Sequence, residues 1–112
     1  MGITYNEQSR IFKLDTPNTS YILGVEDTFG YLLHYYYGRK LRRDDVRYRS
    51  RTWEPPFTPE RNGRDKLSFL DCAPFEYPTG GIGDFREHCL EIRTPQGHNA
   101  VEAGYRRHVH PA

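Results

Sequence analysis

Six acidic residues in the second half of the chain, Asp65, Asp71, Glu76, Asp84, Glu87 and Glu91, are of the type that could run acid–base or nucleophilic chemistry. Paired-carboxylate hydrolysis needs two such groups facing each other across a cleft at a defined separation. Spacing singles out no pair among the six. Asp84 has a separate structural reading, because an aspartate that follows a glycine can accept backbone bonds and hold a nearby arginine, here Arg86. His108-Val109-His110 sets two imidazoles on one strand face, two ligands of a weak metal site with no obvious third. No Ser-His-Asp or Cys-His arrangement emerges from the spacing. No catalytic residue and no metal ligand is therefore assigned.

The basic run Arg39-Lys40-Leu41-Arg42-Arg43, extended by Arg47, Arg49 and Arg51 and flanked by tyrosines, has the residue types that grip a phosphate backbone and stack bases. Asp44 and Asp45 interrupt it, and the whole chain carries a formal charge of only +1. That near-balance gives no global attraction to nucleic acid or an anionic membrane, so a solvated loop or a subunit contact is the expected role. Gly80-Gly81-Ile82-Gly83 lacks the spacing of a dinucleotide fingerprint and the Lys-Ser/Thr pair of a phosphate loop. A tight turn is expected there, and no cofactor.

Cys72 and Cys89 form neither a disulfide framework nor a zinc pattern and read as free thiols in a reducing compartment. No signal peptide is visible and no apolar run approaches membrane-spanning length. A cytoplasmic protein with no membrane partner is expected.

The elements that must position these residues are short strands. At 112 residues the chain has room for one small domain. Hydrophobic residues make up 36% and aromatics 14%, a balance that suits strands packing flat rings. Strands are predicted over residues 3–6, 10–14, 19–25 and 31–37. In the second, Phe12 and Leu14 share one face and Ile11 and Lys13 the other. Asp15-Thr16-Pro17-Asn18 and the stretch from Glu26 to Gly30 supply turns. Residues 39–64 form one long loop, because Pro55, Pro56 and Pro59 exclude a regular helix or a central strand, and Trp53 and Phe57 can pin it down. Residues 88–94 and 99–105 alternate cleanly around Pro95-Gln96-Gly97 and read as the best hairpin in the chain. No helix is predicted.

Sequence motifs extend this reading. The opening ITYNEQSRIFKLDTPNTSYILGV, then LLHYYYGRKL, LSFLD at 67–71 and EYPTGGIGDFRE at 76–87 closely resemble the N-terminus of the α-galactosidases of glycoside hydrolase family 36. GHNAVEAGYRRH at 97–108 is similar to the family's next strand, with departures. Gly104 stands where the family has an arginine before the tyrosine, and Arg107 where it has a serine before the histidine. These departures predict that the last strand is not native-like.

The resemblance implies an all-β fold, a partial β-supersandwich of antiparallel strands with one long loop, covering residues 1–112. In the family a catalytic (β/α) barrel and a C-terminal β domain follow, and both are expected to lie outside this chain. The implied parent activity is retaining hydrolysis of terminal α-linked galactose from melibiose- and raffinose-type sugars, without a cofactor. Both catalytic aspartates belong to the barrel, so this chain alone is predicted inactive. Tyr77, Pro78, Gly83, Asp84, Phe85 and Arg86 carry the family's structural motif.

In some relatives a loop ahead of a Phe-Ser-Pro motif reaches a neighbour's active site. The matching stretch is Phe57-Thr58-Pro59, which makes Arg51, Trp53 and Glu54 the candidate sugar or subunit contacts in an intact relative. Trp53 as a plain loop anchor is the alternative. A stand-alone carbohydrate-binding or subunit-assembly module, and more remotely a basic-loop binder of nucleic acid, are the competing functions. Unpaired strand edges predict self-association.

Overall fold

The computed structural model describes residues 2–27, 29–49, 73–80 and 86–109. Four strands follow in chain order: β1 (Gly2–Asn6), β2 (Ile11–Asp15), β3 (Thr19–Val25) and β4 (Leu32–Arg39). They pair antiparallel in the order β1-β2-β3-β4, giving one open sheet. The architecture is all-β, with a single 3-10 turn at Arg47–Arg49 among the described residues. An open antiparallel layer of this kind is consistent with an incomplete β-sandwich.

Local chemistry fixes each reversal. Asn6 Oδ1 accepts from the amides of Gln8 at 3.1 Å and Ser9 at 3.2 Å, folding the chain back after β1. Arg10 then sits at φ 54°, in the left-handed region, so β2 begins at Ile11 and not at Arg10 as predicted. After β2, Thr16 Oγ1 accepts from the Thr19 amide at 2.9 Å. After β3, Glu26 Oε2 accepts from the Phe29 amide at 2.7 Å, and Gly30 takes φ 74°.

Alternation sorts the strands into two faces. One face carries Ile11 and Lys13 from β2, Ser20, Ile22 and Gly24 from β3, and Leu33 from β4, all buried. Its core is Ile11, Ile22, Tyr31, Leu33, Tyr35, Val46 and Ala73. The ladder between β3 and β4 breaks register between Ile22 and Leu23: Ile22 opposes Tyr36, whereas Leu23 opposes His34. Tyr35 is the extra residue of a β-bulge. Its ring lies directly on the backbone of Gly24, in the space a side chain would fill.

Residues 40–49, the start of the predicted long loop, are ordered over this core face. The Leu41 amide donates to Ser20 Oγ at 2.9 Å, and Asn6 Nδ2 donates to Asp44 Oδ2 at 3.2 Å. Arg47 pairs with Asp27. Lys13 is buried because Asp15 neutralises it: Nζ donates to Oδ2 at 2.5 Å, while Oδ1 accepts from Ser20 at 2.6 Å. The Lys13 ammonium, then the Ser20 hydroxyl, hold the Asp15 carboxyl below its ordinary range. The remainder of the predicted loop, with Trp53, Pro55, Pro56, Phe57 and Pro59, lies outside the described residues.

The outer edge of β4 is partly covered. His34 N donates to Pro74 O at 2.7 Å, Glu76 N donates to Leu32 O at 2.9 Å, and Leu33 bridges Phe75. The predicted hairpin at 88–94 and 99–105 does not form. Its turn does: Thr94 N donates to His98 O at 2.8 Å, and Gly97, at φ 87°, donates to Thr94 O at 2.8 Å. The arms carry no strand. The closed turn explains why. Setting Thr94 opposite His98 puts Ile92 opposite Ala100, Leu90 opposite Glu102 and Glu91 opposite Val101. Opposed residues share a face, so the two apolar sets would point to opposite sides of the hairpin.

The Tyr35 ring on Gly24 yields a stability test. Gly24→Ala is expected to cost about 1–3 kcal/mol, the usual range for forcing extra volume into a packed core. In a Tyr35→Leu background the same substitution should cost less, because the two sites are coupled. Urea unfolding of the four variants measures both; equal penalties in the two backgrounds would contradict the packing described.

Candidate functional site

The second face of the sheet carries most of the exposed chemistry. Tyr5, Phe12, Tyr21, Leu23, His34 and Tyr37 lie on it by register. Two groups from outside the sheet cover its opposite ends.

At the β3–β4 end, Glu76 reaches in from the segment bonded along β4. Tyr21 donates its hydroxyl to Glu76 Oε1, and His34 Nδ1 lies 3.2 Å from Oε2. Tyr21 also meets the His34 ring edge-on at 5.0 Å and Tyr37 at 5.9 Å. Tyr37 is 68% exposed, its ring tilted 52° to that of Tyr21. Burial, then the hydrogen bond to Glu76, push the Tyr21 phenol up to about 12.

The tail runs from the residues just before β4 across to β1 and β2. Tyr105 N donates to Gly30 O at 2.7 Å, and Tyr31 donates to Glu102 at 2.5 Å. His108 packs at 4.4 Å from Tyr5 and 4.8 Å from Phe12, while its Nδ1 meets the Tyr105 hydroxyl at 2.6 Å. His108 is thus a packed aromatic partner. The predicted pair with His110 goes untested, because His110 lies outside the described residues. No three metal-ligating side chains converge among the described residues.

The other sequence candidates fall as follows. Of the six carboxylates named from sequence, Glu76 joins this cluster, Glu87 and Glu91 are exposed, and Asp65, Asp71 and Asp84 lie outside the described residues. No two of the three described ones are brought together. Arg51, Trp53, Glu54, Gly83, Phe85 and Cys72 also lie outside the described residues. Cys89 is a free, exposed thiol. Gly80 adopts φ 70° with the His88 ring against its Cα, and Gly81, Ile82 and Gly83, the rest of the predicted turn, lie outside the described residues. Thr79 is buried and donates to Val101 O at 2.8 Å. Pro78 O accepts from the Cys89 amide at 2.9 Å, and Tyr77 is 47% exposed. Arg86 donates to Ala73 O and lies 4.7 Å over the Phe75 ring. The described part of the EYPTGG motif is therefore a junction: it ties residues 86–101 to the sheet.

The basic run faces elsewhere. Arg42 and Arg43 line an open cleft of about 510 Å³ with Thr4, Lys13, Asp15, Asp44 and Asp45. Three acids among three bases leave no single-sign surface for a phosphate backbone. No helix among the described residues is long and apolar enough to cross a membrane.

Reading the sequence missed Tyr21, His34 and Tyr37 as partners of Glu76. The only available signal was that Glu76 opens a distinctive motif, and that Tyr21, Tyr37 and His34 lie on the same side of predicted strands once the bulge is known.

Comparison with known proteins places this geometry. The family model for the glycosyl hydrolase family 36 N-terminal domain matches residues 30–112. The chain is 39% identical over 100 residues to a bifunctional α-galactosidase/sucrose kinase of Mediterraneibacter gnavus, a match covering 87% of this chain and 10% of that protein. It is 31% identical over 111 residues to an α-galactosidase of Geobacillus stearothermophilus, covering 96% and 15%. Among solved structures, the α-galactosidase of Lactobacillus brevis superposes with a TM-score of 0.83 at 25% identity, covering 94% of this chain and 14% of that one. A Geobacillus stearothermophilus α-galactosidase solved in complex with raffinose superposes with a TM-score of 0.75 at 28% identity, covering 87% and 13%. The chain spans 10% and 15% of the length of the two curated relatives.

The tyrosine–carboxylate contact predicts a titration. The Tyr21 phenol is raised above its unfolded value of 10.0, so its stabilising contribution is complete below pH 10 and is lost as pH rises through about 12. Phenolate absorbance should show one of the nine tyrosines titrating near 12. Glu76→Gln should lower that value without restoring 10.0, because burial is the larger cause and remains. An unchanged titration in the variant would place Tyr21 away from Glu76.

Proposed function

The chain belongs to the glycosyl hydrolase family 36 N-terminal domain family, and from that premise we propose that it is the amino-terminal β portion of an α-galactosidase, inactive by itself. The parent reaction is retaining hydrolysis of terminal α-linked galactose from melibiose- and raffinose-type sugars, and it needs no cofactor. The observation that carries this reading is the family match over residues 30–112 in a chain spanning 10% and 15% of two α-galactosidase relatives. The described carboxylates support it. Glu76 is bonded to Tyr21 and His34, Glu102 to Tyr31, Glu26 to the Phe29 amide, Asp15 to Lys13, Asp27 to Arg47 and Asp44 to Asn6. These six of the ten described carboxylates are engaged in structural contacts, whereas hydrolysis requires two carboxylates aimed at a substrate.

In this reading the catalytic barrel and the C-terminal β domain are supplied by further polypeptide. Arg51, Trp53 and Glu54 are the sugar or subunit contacts of the assembled enzyme, with Trp53 stacking on a sugar's apolar face and Glu54 accepting a hydroxyl. The exposed free thiol of Cys89 suits a reducing, cytoplasmic setting.

Purified chain incubated with a nitrophenyl α-galactoside is expected to release nitrophenol no faster than buffer. Turnover by the chain would overturn the proposal. An NMR titration with galactose and melibiose on the same sample tests the competing binding-module reading, which requires saturable shifts.

A further inference from the structure

The three consecutive tyrosines of β4 end in different places. Tyr35 fills the space over Gly24, and Tyr36 donates its hydroxyl to Arg39 O at 2.8 Å. Tyr37 does neither. Most of its side chain is open to solvent, its one aromatic contact among the described residues is Tyr21, and its hydroxyl has no hydrogen-bond partner among them.

The bulge sets what flanks this ring. His34, Tyr37 and Arg39 oppose Leu23, Tyr21 and Thr19, which are alternate residues of β3. The three therefore stand in line on the second face, at intervals of about 7 Å. Arg39 is exposed, and its guanidinium has no partner among the described residues. His34 is held in place: Nδ1 lies 3.2 Å from Glu76 Oε2, and Tyr21 meets the ring edge-on at 5.0 Å. A carboxylate at Nδ1 draws the imidazole proton to that nitrogen, so Nε2 presents a lone pair. No described residue bonds Nε2. The line thus offers an acceptor, an aromatic ring and a donor. Glu76 balances the charge of Arg39, so neither an anion nor a cation is favoured. The ligand that fits is neutral, carries hydroxyls at both ends and has an apolar face between them. A disaccharide has this chemistry, and the span of about 13 Å from His34 to Arg39 suits two linked sugar rings.

We infer that His34, Tyr37 and Arg39 form a binding surface for a neutral oligosaccharide. Tyr37 stacks on the apolar face of a sugar ring, His34 Nε2 accepts from a hydroxyl and Arg39 donates to one. Glu76 and Tyr21 are positioning residues that fix the imidazole before the ligand arrives, which lowers the ordering cost of binding. The choice of an α-galactoside as probe rests on the proposed function; the surface itself rests on the register of β3 and β4.

The test titrates melibiose into the full 112-residue chain, isotope-labelled for NMR. Saturable amide shifts are expected over residues 34–39 and at Glu76, with a Kd of roughly 1–10 mM for so open a surface. Tyr37→Ala should weaken binding at least about tenfold by removing the stacking area. Tyr37→Phe keeps the ring and should stay within about threefold of the parent chain. Arg39→Ala should weaken binding at least about threefold. Both positions are exposed, so the melting of the chain should not change. Sorbitol, which has the hydroxyls without the rigid ring face, should give no saturable shift. No saturable shift with melibiose in a folded chain, shifts confined to residues 51–54, an affinity indifferent to both Tyr37→Ala and Arg39→Ala, or equal shifts with sorbitol would each overturn the inference. Nitrophenyl α-galactoside turnover, run in parallel, reports separately on the functional reading: absent shifts without turnover would remove this surface and leave that reading standing.

Discussion

Both faces of the sheet depend on the extra residue that β4 inserts opposite β3. With an unbroken ladder, Tyr36 would oppose Tyr21 and Tyr37 would oppose Ser20. The bulge at Tyr35 shifts this by one, so that Tyr36 opposes Ile22 and Tyr37 opposes Tyr21. A one-residue shift exchanges faces for every side chain beyond it. The consequence is that Tyr35 covers Gly24 on the core face, while Tyr37 is delivered to the second face beside Tyr21 and His34. Gly24 is part of the same constraint: only a residue without a side chain leaves room for the ring.

Glu76 joins this sheet to the rest of the chain. Its amide bonds to Leu32 O, and its carboxylate meets side chains from β3 and β4. The three residues after it continue the connection, with Pro78 holding the Cys89 amide and Thr79 holding Val101. A carboxylate with hydrogen-bond partners on both oxygens is a costly group to leave half-satisfied. Glu76 is therefore better understood as a structural latch than as a free acid, which fits a chain whose parent chemistry is proposed to lie elsewhere.

The four strands were legible in the sequence because period-two alternation and turn residues agree with each other there. The strand predicted over residues 19–25 matches β3 to the residue, and the other three agree to within two residues. Arg10 falls outside β2 because a left-handed arginine carries no compositional mark. The hairpin at 88–105 failed for a related reason. Alternation was real in both arms, but it says nothing about the register a turn imposes, and the turn fixed by Thr94 and Gly97 sets the apolar residues on opposite sides. The cluster of Tyr21, His34, Tyr37 and Glu76 was illegible because it joins positions up to 55 apart through a bulge that no pattern announces.

The tail shows how departures from a family pattern should be weighed. Gly104 and Arg107 depart from it, and residues 101–109 indeed form no strand. The two positions that keep the pattern, Tyr105 and His108, are the ones that dock: Tyr105 on the Gly30 carbonyl and near Phe12, His108 between Tyr5 and Phe12. Arg107 is exposed, whereas Gly104 lies at the contact itself, where a side chain's first carbon would sit 3.4 Å from Phe29 O and 3.7 Å from Gly30 O. What the sheet requires of the tail is an aromatic ring and an imidazole three residues apart, close enough for the Tyr105 hydroxyl to meet His108 Nδ1. Neither departure removes the packing that brings the tail back to β1 and β2. The docking contact thus holds the tail in place although it forms no strand.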